Sequence, residues 1–117
     1  MTEAILQPVR PAYDRAKLVE LFGEDPTTLA EVEKEFLDTA RVAEREIVNT
    51  TDCVQIARAA HRLKGASGMI GAASLRTIAE AVEKAAKAKD LPGVRRMHEL
   101  FAQEVKRVAD QVGSFAR

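Results

Sequence analysis

Residues 60–72 read Ala60-His61-Arg62-Leu63-Lys64-Gly65-Ala66-Ser67-Gly68-Met69-Ile70-Gly71-Ala72, and the helical phase of this stretch decides how the chain is read. Residues i, i+3 and i+4 of a helix stack over one turn. His61, Lys64 and Gly65 therefore share a face that carries an imidazole, a cation and a patch of bare backbone. At roughly 100° per residue, Ile56, Leu63 and Ile70 fall on nearly one line, flanked by Ala59, Ala60 and Ser67. That line is the core face. His61 lies roughly 160° away from Leu63, so it points to water, with Val54, Ala57, Arg58, Lys64, Gly65 and Gly68 on its side.

Outward from this helix the chain divides into amphipathic segments. Thr50, Thr51 and Asp52 offer its N-cap, and Gly71 with the cap candidate Ser74 interrupts the chain behind it. Upstream, Asp25-Pro26 pairs a capping carboxylate with proline at the first helical position. The helix it starts runs to about Asn49 on the stripe Leu29, Val32, Phe36, Ala40, Ala43 and Ile47. Asp14 caps a short helix through Leu18, Leu21 and Phe22 that Gly23 stops. Met1 to Pro11 holds two prolines and no sustained period, and reads as an extended arm.

Downstream, Leu75, Ile78, Ala79, Val82 and Ala86 form a buried stripe, with Arg76, Glu80, Glu83 and Lys84 outside. Asp90-Leu91-Pro92-Gly93 reads as a turn. A last helix aligns Val94, Met97, Phe101, Val105, Val108 and Val112, and frays past Gly113. Short connections between four long helices predict an all-α fold: an antiparallel up-down-up-down four-helix bundle, with the short N-terminal helix as a lid. Residues 13–113 form its single domain, behind an arm at 1–12.

Bulk properties narrow the function. Eighteen basic and eighteen acidic residues cancel, which argues against a nucleic-acid binder driven by phosphate neutralisation. The single Cys53 excludes an intramolecular disulfide and a cysteine zinc cluster. No apolar run approaches the roughly 20 residues of a membrane span, and Thr2, Glu3 and Gln7 break any signal-like stretch. The expected setting is cytoplasmic, without membrane association.

An exposed histidine by itself is an ordinary surface residue, so its surroundings carry the argument. Each mid-helix glycine costs roughly 1 kcal/mol relative to alanine. Gly65 and Gly68 both fall on the histidine side, where core packing gives no reason for them, and they clear room for something to approach. Lys64 and Arg58 can neutralise an anion carried by the ring. Val54 and Ala57 make the rim mildly apolar, as a docking surface requires. Transient phosphorylation of the imidazole fits these features, because a neutral ring near pH 7 has one unprotonated nitrogen free to act as nucleophile. The acceptor aspartate and its Mg²⁺ then come from a partner. The chain has no Gly-x-x-x-x-Gly-Lys-Ser/Thr loop and no kinase-type glycine motif, so it reads as a phosphoacceptor that is not an enzyme and has no cofactor of its own.

These residues resemble a family. His61-Arg62-Leu63-Lys64-Gly65-Ala66-Ser67 followed by Ile70-Gly71-Ala72 is similar to the His-x-Leu-Lys-Gly-Ala/Ser core of histidine-containing phosphotransfer (HPt) domains of bacterial two-component phosphorelays. Leu21-Phe22-Gly23-Glu24-Asp25-Pro26 and Leu75 to Glu83 resemble the flanking segments. The resemblance implies that His61 is the phosphoacceptor through Nε2, that Lys64 stabilises the phosphoryl group, and that Gly65 gives a receiver domain access. It implies response-regulator receiver domains or a hybrid sensor histidine kinase as partners of a monomer.

Other readings fit less well. Gly65-Ala66-Ser67-Gly68 matches the Gly-x-x-Gly loop of an RNA-binding KH domain, but the strands of that domain are not evident. A metal-binding bundle needs inward Glu-x-x-His pairs, yet Arg95 stands three residues before His98, and His61 points outward. His98 reads as a helix-flank residue, and Cys53 as small and partly buried. Glu31, Lys34 and Glu35 read as a solvated face. The serious alternative is a bundle of phosphotransfer shape that acts only as a binding module or phosphate sink.

Overall fold

Short acidic side chains open most of the helices in the computed structural model, which describes residues 13–115. Asp14 accepts from the N–H groups of Ala16 and Lys17 and starts α1 (Arg15–Phe22). Asp25 accepts from Thr28 N–H ahead of α2 (Pro26–Asn49), with proline in the first turn. Asp52 accepts from Val54 N–H ahead of α3 (Cys53–Met69). Each such cap satisfies a donor that the helix geometry leaves orphaned. The expected arm at 1–12 lies outside the described residues.

Two expectations at helix starts are corrected. Ser74 does not cap α4 (Ala73–Lys87), whose N-cap is Ala72 with no side-chain hydrogen bond. Gly71 reverses the chain at φ +74°, and Ala72 N–H donates to Ser67 O at 2.8 Å while Ala72 O accepts from Arg76 N–H. The backbone caps both helices across a tight corner where Ala72 is fully buried, and a polar cap has no room. Nor is Asp90–Gly93 merely a turn. Asp90 accepts from Gly93 N–H and caps a six-residue helix, α5 (Leu91–Arg96). The single last helix becomes two, because the chain bends at Met97 before α6 (His98–Phe115).

α2 packs against α3 and α6, and α4 packs against the same two, so the four long helices close a ring. Leu29, Phe36, Ile56, Leu63, Leu75, Val82, Phe101 and Val108 meet inside it. Each such buried side chain stabilises the fold by roughly 1.5–3 kcal/mol. α3 and α4 make the most extensive helix contact, lined by the buried alanines Ala59, Ala60, Ala79 and Ala86. α5 lies against α4 and α6, and α1 against α2.

Of the expected α1 stripe only Leu18 enters the core, while Leu21 stays 54% exposed. What ties this end down is Tyr13. Its ring is buried, its hydroxyl donates to Glu33, and Gln111 brackets its backbone N–H and C=O at 3.3 and 2.9 Å. Asp14 N–H donates to Gly71 O at 3.1 Å, which joins the start of α1 to the α3–α4 corner.

Candidate functional site

α3 turns Ile56, Ala59, Ala60 and Leu63 into the core, and the His61 side chain is left 67% exposed. The expected phase is what the fold adopts. The surroundings of the ring depart from expectation first at Glu83. Expected on the outer face of α4, Glu83 is only 4% exposed. Its Oε2 lies 3.0 Å from His61 Nδ1 and 3.0 Å from Lys87 Nζ, and its Oε1 lies 3.0 Å from Lys64 Nζ.

Three basic groups thus converge on one buried carboxylate. Burial pushes the Glu83 carboxyl up, but hydrogen bonds from Lys64, Lys87 and His61 outweigh it and hold the pKa down from 4.5 to about 2. The group is ionised at neutral pH and can only accept. The proton shared with His61 therefore sits on Nδ1, and Nε2 is the ring nitrogen left for other chemistry.

Lys64 was expected beside the imidazole, one turn on, to neutralise an anion on the ring, and it does stand there. Its side chain is three-quarters buried and ion-paired to the carboxylate that holds the ring. Gly65 meets the expectation of open space, since no atom lies within 4 Å of where its Cβ would stand. Val54, Ala57, Arg58 and His61 line one concavity of about 670 Å³ between α3 and α4, together with Glu83, Lys87 and Lys89. Val54 is 57% exposed there.

Gly68 is not part of this group. It is half-buried, its carbonyl accepts from Lys17 Nζ at 3.1 Å, and a Cβ on it would lie 3.4 Å from the Arg76 side chain. The tight α3–α4 corner keeps the first turn of α4 against the last turn of α3, so Arg76 covers a position the helical wheel leaves open. Among the described residues no cluster of three or more His, Cys, Asp or Glu side chains could hold a metal ion.

The sequence does hold a signal for Glu83. It stands four residues after Ala79 and three before Ala86, on the flank of the buried stripe. It also stands four residues before Lys87, the spacing of a helical ion pair.

An exposed imidazole thus stands on the α3–α4 pair, bonded to a buried carboxylate beside a lysine and a bare glycine. The family model described as the Hpt domain matches residues 18–111. The chain belongs to the Hpt domain family. Hpt domains carry phosphoryl groups in two-component signalling, where they work with receiver domains and histidine kinases. The fold is similar to that in the crystal structure of the histidine-containing phosphotransfer protein ZmHP2 from maize. The TM-score is 0.77, at 18% identity over 92% of this chain and 82% of that one. No curated protein matches the sequence. No helix among the described residues is long and apolar enough to cross a membrane.

Proposed function

We propose that His61 takes a phosphoryl group on Nε2 from the aspartyl phosphate of one receiver domain and passes it to the aspartate of another. In the first step an N–P bond forms as the acyl O–P bond breaks, and the donor aspartate leaves as a carboxylate. The second step reverses this order. The observation that carries the reading is the hydrogen bond between His61 Nδ1 and the buried, ionised Glu83. It fixes the tautomer in which the Nε2 lone pair is free, and it faces the positive charge that develops on the ring as Nε2 bonds to phosphorus.

Lys64 then has a defined role. It can turn from Glu83 Oε1 to the phosphoryl oxygens, while Lys87 on Oε2 keeps Glu83 compensated. Gly65 leaves the space that a receiver domain needs to bring its phosphoaspartate in line. The concavity beside the ring, with Val54, Ala57 and Arg58, receives the partner. Mg²⁺ belongs to the receiver domain. Residues 13–113 act as one domain behind the arm at 1–12, as a monomer.

The test is to incubate the protein with a panel of receiver domains charged with labelled acetyl phosphate. Acid-labile, base-stable label on the wild type and none on His61→Gln is the expected result. A wild type that takes no label, or a His61→Gln protein that keeps it, overturns the reading.

A further inference from the structure

Two helices of this bundle end in the same backbone motif, with different residues at its critical position. At the end of α3, Gly71 N–H donates to Gly68 O and Ala72 N–H to Ser67 O. At the end of α4, Lys89 N–H donates to Ala86 O at 2.9 Å and Asp90 N–H to Ala85 O at 2.8 Å. Both are paired 5→2 and 6→1 closures that require a left-handed residue just past the helix. The first uses Gly71 at φ +74°; the second uses Lys89 at φ +58°, the only described non-glycine residue with positive φ. For a lysine that backbone costs about 1–2 kcal/mol, which glycine avoids. A cation near a helix C-terminus recovers a fraction of this through the helix dipole, but Lys84 and Lys87 already stand in that last turn.

The position of Lys89 suggests why a lysine stands there. It is exposed and lines the same concavity as His61, two residues past the end of α4, which carries Glu83. The lining also carries the apolar Val54, Ala57 and Ala86. The other cations of the concavity are engaged: Lys87 is held by Glu83 and Arg62 by Glu46. Among the described residues, Arg58 and Lys89 are the two lining cations with no acidic partner, and their charge is left for a docking protein.

Resting on the phosphotransfer reading above, we infer that Lys89 is a specificity-determining contact. Exposed in the lining of the concavity, it pairs with a carboxylate beside the apolar docking face of the incoming receiver domain. The concavity, apolar side chains together with two unneutralised cations, is complementary to an apolar helix face flanked by acidic side chains. A rim charge of this kind acts on encounter and salt dependence more than on the chemical step.

The experiment measures phosphoryl transfer at several ionic strengths, from the receiver domain that labels wild type fastest, to Lys89→Asn, Lys89→Arg, Lys89→Glu and Lys89→Gly. Asparagine tolerates the left-handed backbone without the charge, so the fold is kept. The apparent KM should rise about 3-fold in Lys89→Asn and about 10-fold in Lys89→Glu at low salt. The kcat should stay unchanged, Lys89→Arg should behave as wild type, and the differences should shrink in high salt. Lys89→Gly should show the KM of Lys89→Asn together with a higher Tm, which separates recognition from stability. Wild-type KM values in Lys89→Asn and Lys89→Glu overturn the assignment, even where His61→Gln abolishes label and the phosphotransfer reading stands. A wild type that no receiver domain labels overturns both.

Discussion

Replacing Glu83 by glutamine keeps an acceptor beside His61 Nδ1 and removes the charge that three basic groups share. The carboxyl pKa falls from 4.5 to about 2 in the fold, a difference that corresponds to about 3 kcal/mol of stability at neutral pH. Lys87 and His61 are each 67% exposed, so solvent screening lowers the expected cost of Glu83→Gln to about 2 kcal/mol. The sign with pH follows from the direction of the shift. A carboxyl whose native pKa lies below its unfolded value stabilises the fold above the unfolded value, and loses that contribution as pH falls through the native one. The wild type should therefore be more stable than Glu83→Gln at pH 7, and the gap should narrow by about 1 kcal/mol between pH 7 and pH 4. Urea denaturation of both proteins across that range, followed by circular dichroism, gives the gap directly. Other carboxyls titrate in both proteins and cancel. A gap of the same size at pH 7 and pH 4, or its absence at pH 7, would refute the argument that Glu83 is held ionised by its neighbours.

The same residue separates charge from orientation in catalysis: transfer should slow about 10-fold in Glu83→Gln and up to about 100-fold in Glu83→Ala, which frees the ring, as read by initial rates of labelling. Gly65→Ala places a methyl in open space, and should raise stability by up to about 1 kcal/mol in thermal melts with little effect on transfer. Gly65→Gln should fold equally well yet block labelling, and unimpaired transfer there would remove the glycine's role as an access feature. Gly71→Ala should lose about 2 kcal/mol or more, because φ is +74° and the new Cβ would stand 2.7 Å from Asp14 Cβ. Tyr13→Phe leaves the buried Glu33 carboxylate short of its hydroxyl donor and should cost about 1–3 kcal/mol by urea denaturation.

Buried glutamates mark the limit of what the sequence makes legible. Glu33, Glu83 and Glu104 are each less than a tenth exposed. Each also stands three or four residues from apolar core positions on both sides: Leu29 and Phe36, Ala79 and Ala86, Phe101 and Val108. Hydrophobic periodicity assigns such flank positions to solvent because glutamate is normally exposed. For two of them the partner arrives from elsewhere: Glu33 receives the Tyr13 hydroxyl and Glu83 receives Lys64 from α3, while Glu104 pairs with Arg107 one turn on in its own helix. Side-chain caps were legible at Asp14, Asp25 and Asp52, though not at Asp90, whose short helix read as a turn. Nor was the cap legible at Ala72, where the preceding helix supplies it through its backbone.

The sequence by itself determined that the chain is helical, where its long helices lie, and that His61 faces outward. Each of these follows from local rules: capping chemistry and the 3.6-residue period that sends Leu63 and Ile56 inward. Tertiary structure alone decided what the imidazole meets. α4 lies alongside α3 so that Glu83, twenty-two residues from His61, can bond Nδ1 and bind Lys64. The same packing brings the end of α4 to the α3 concavity, where Lys89 stands at the rim. A periodic pattern specifies which side of a helix is buried. It does not specify which residue of a neighbouring helix lies across from that side's edge, because that register is set by side-chain packing between the two helices and by the corner that joins them.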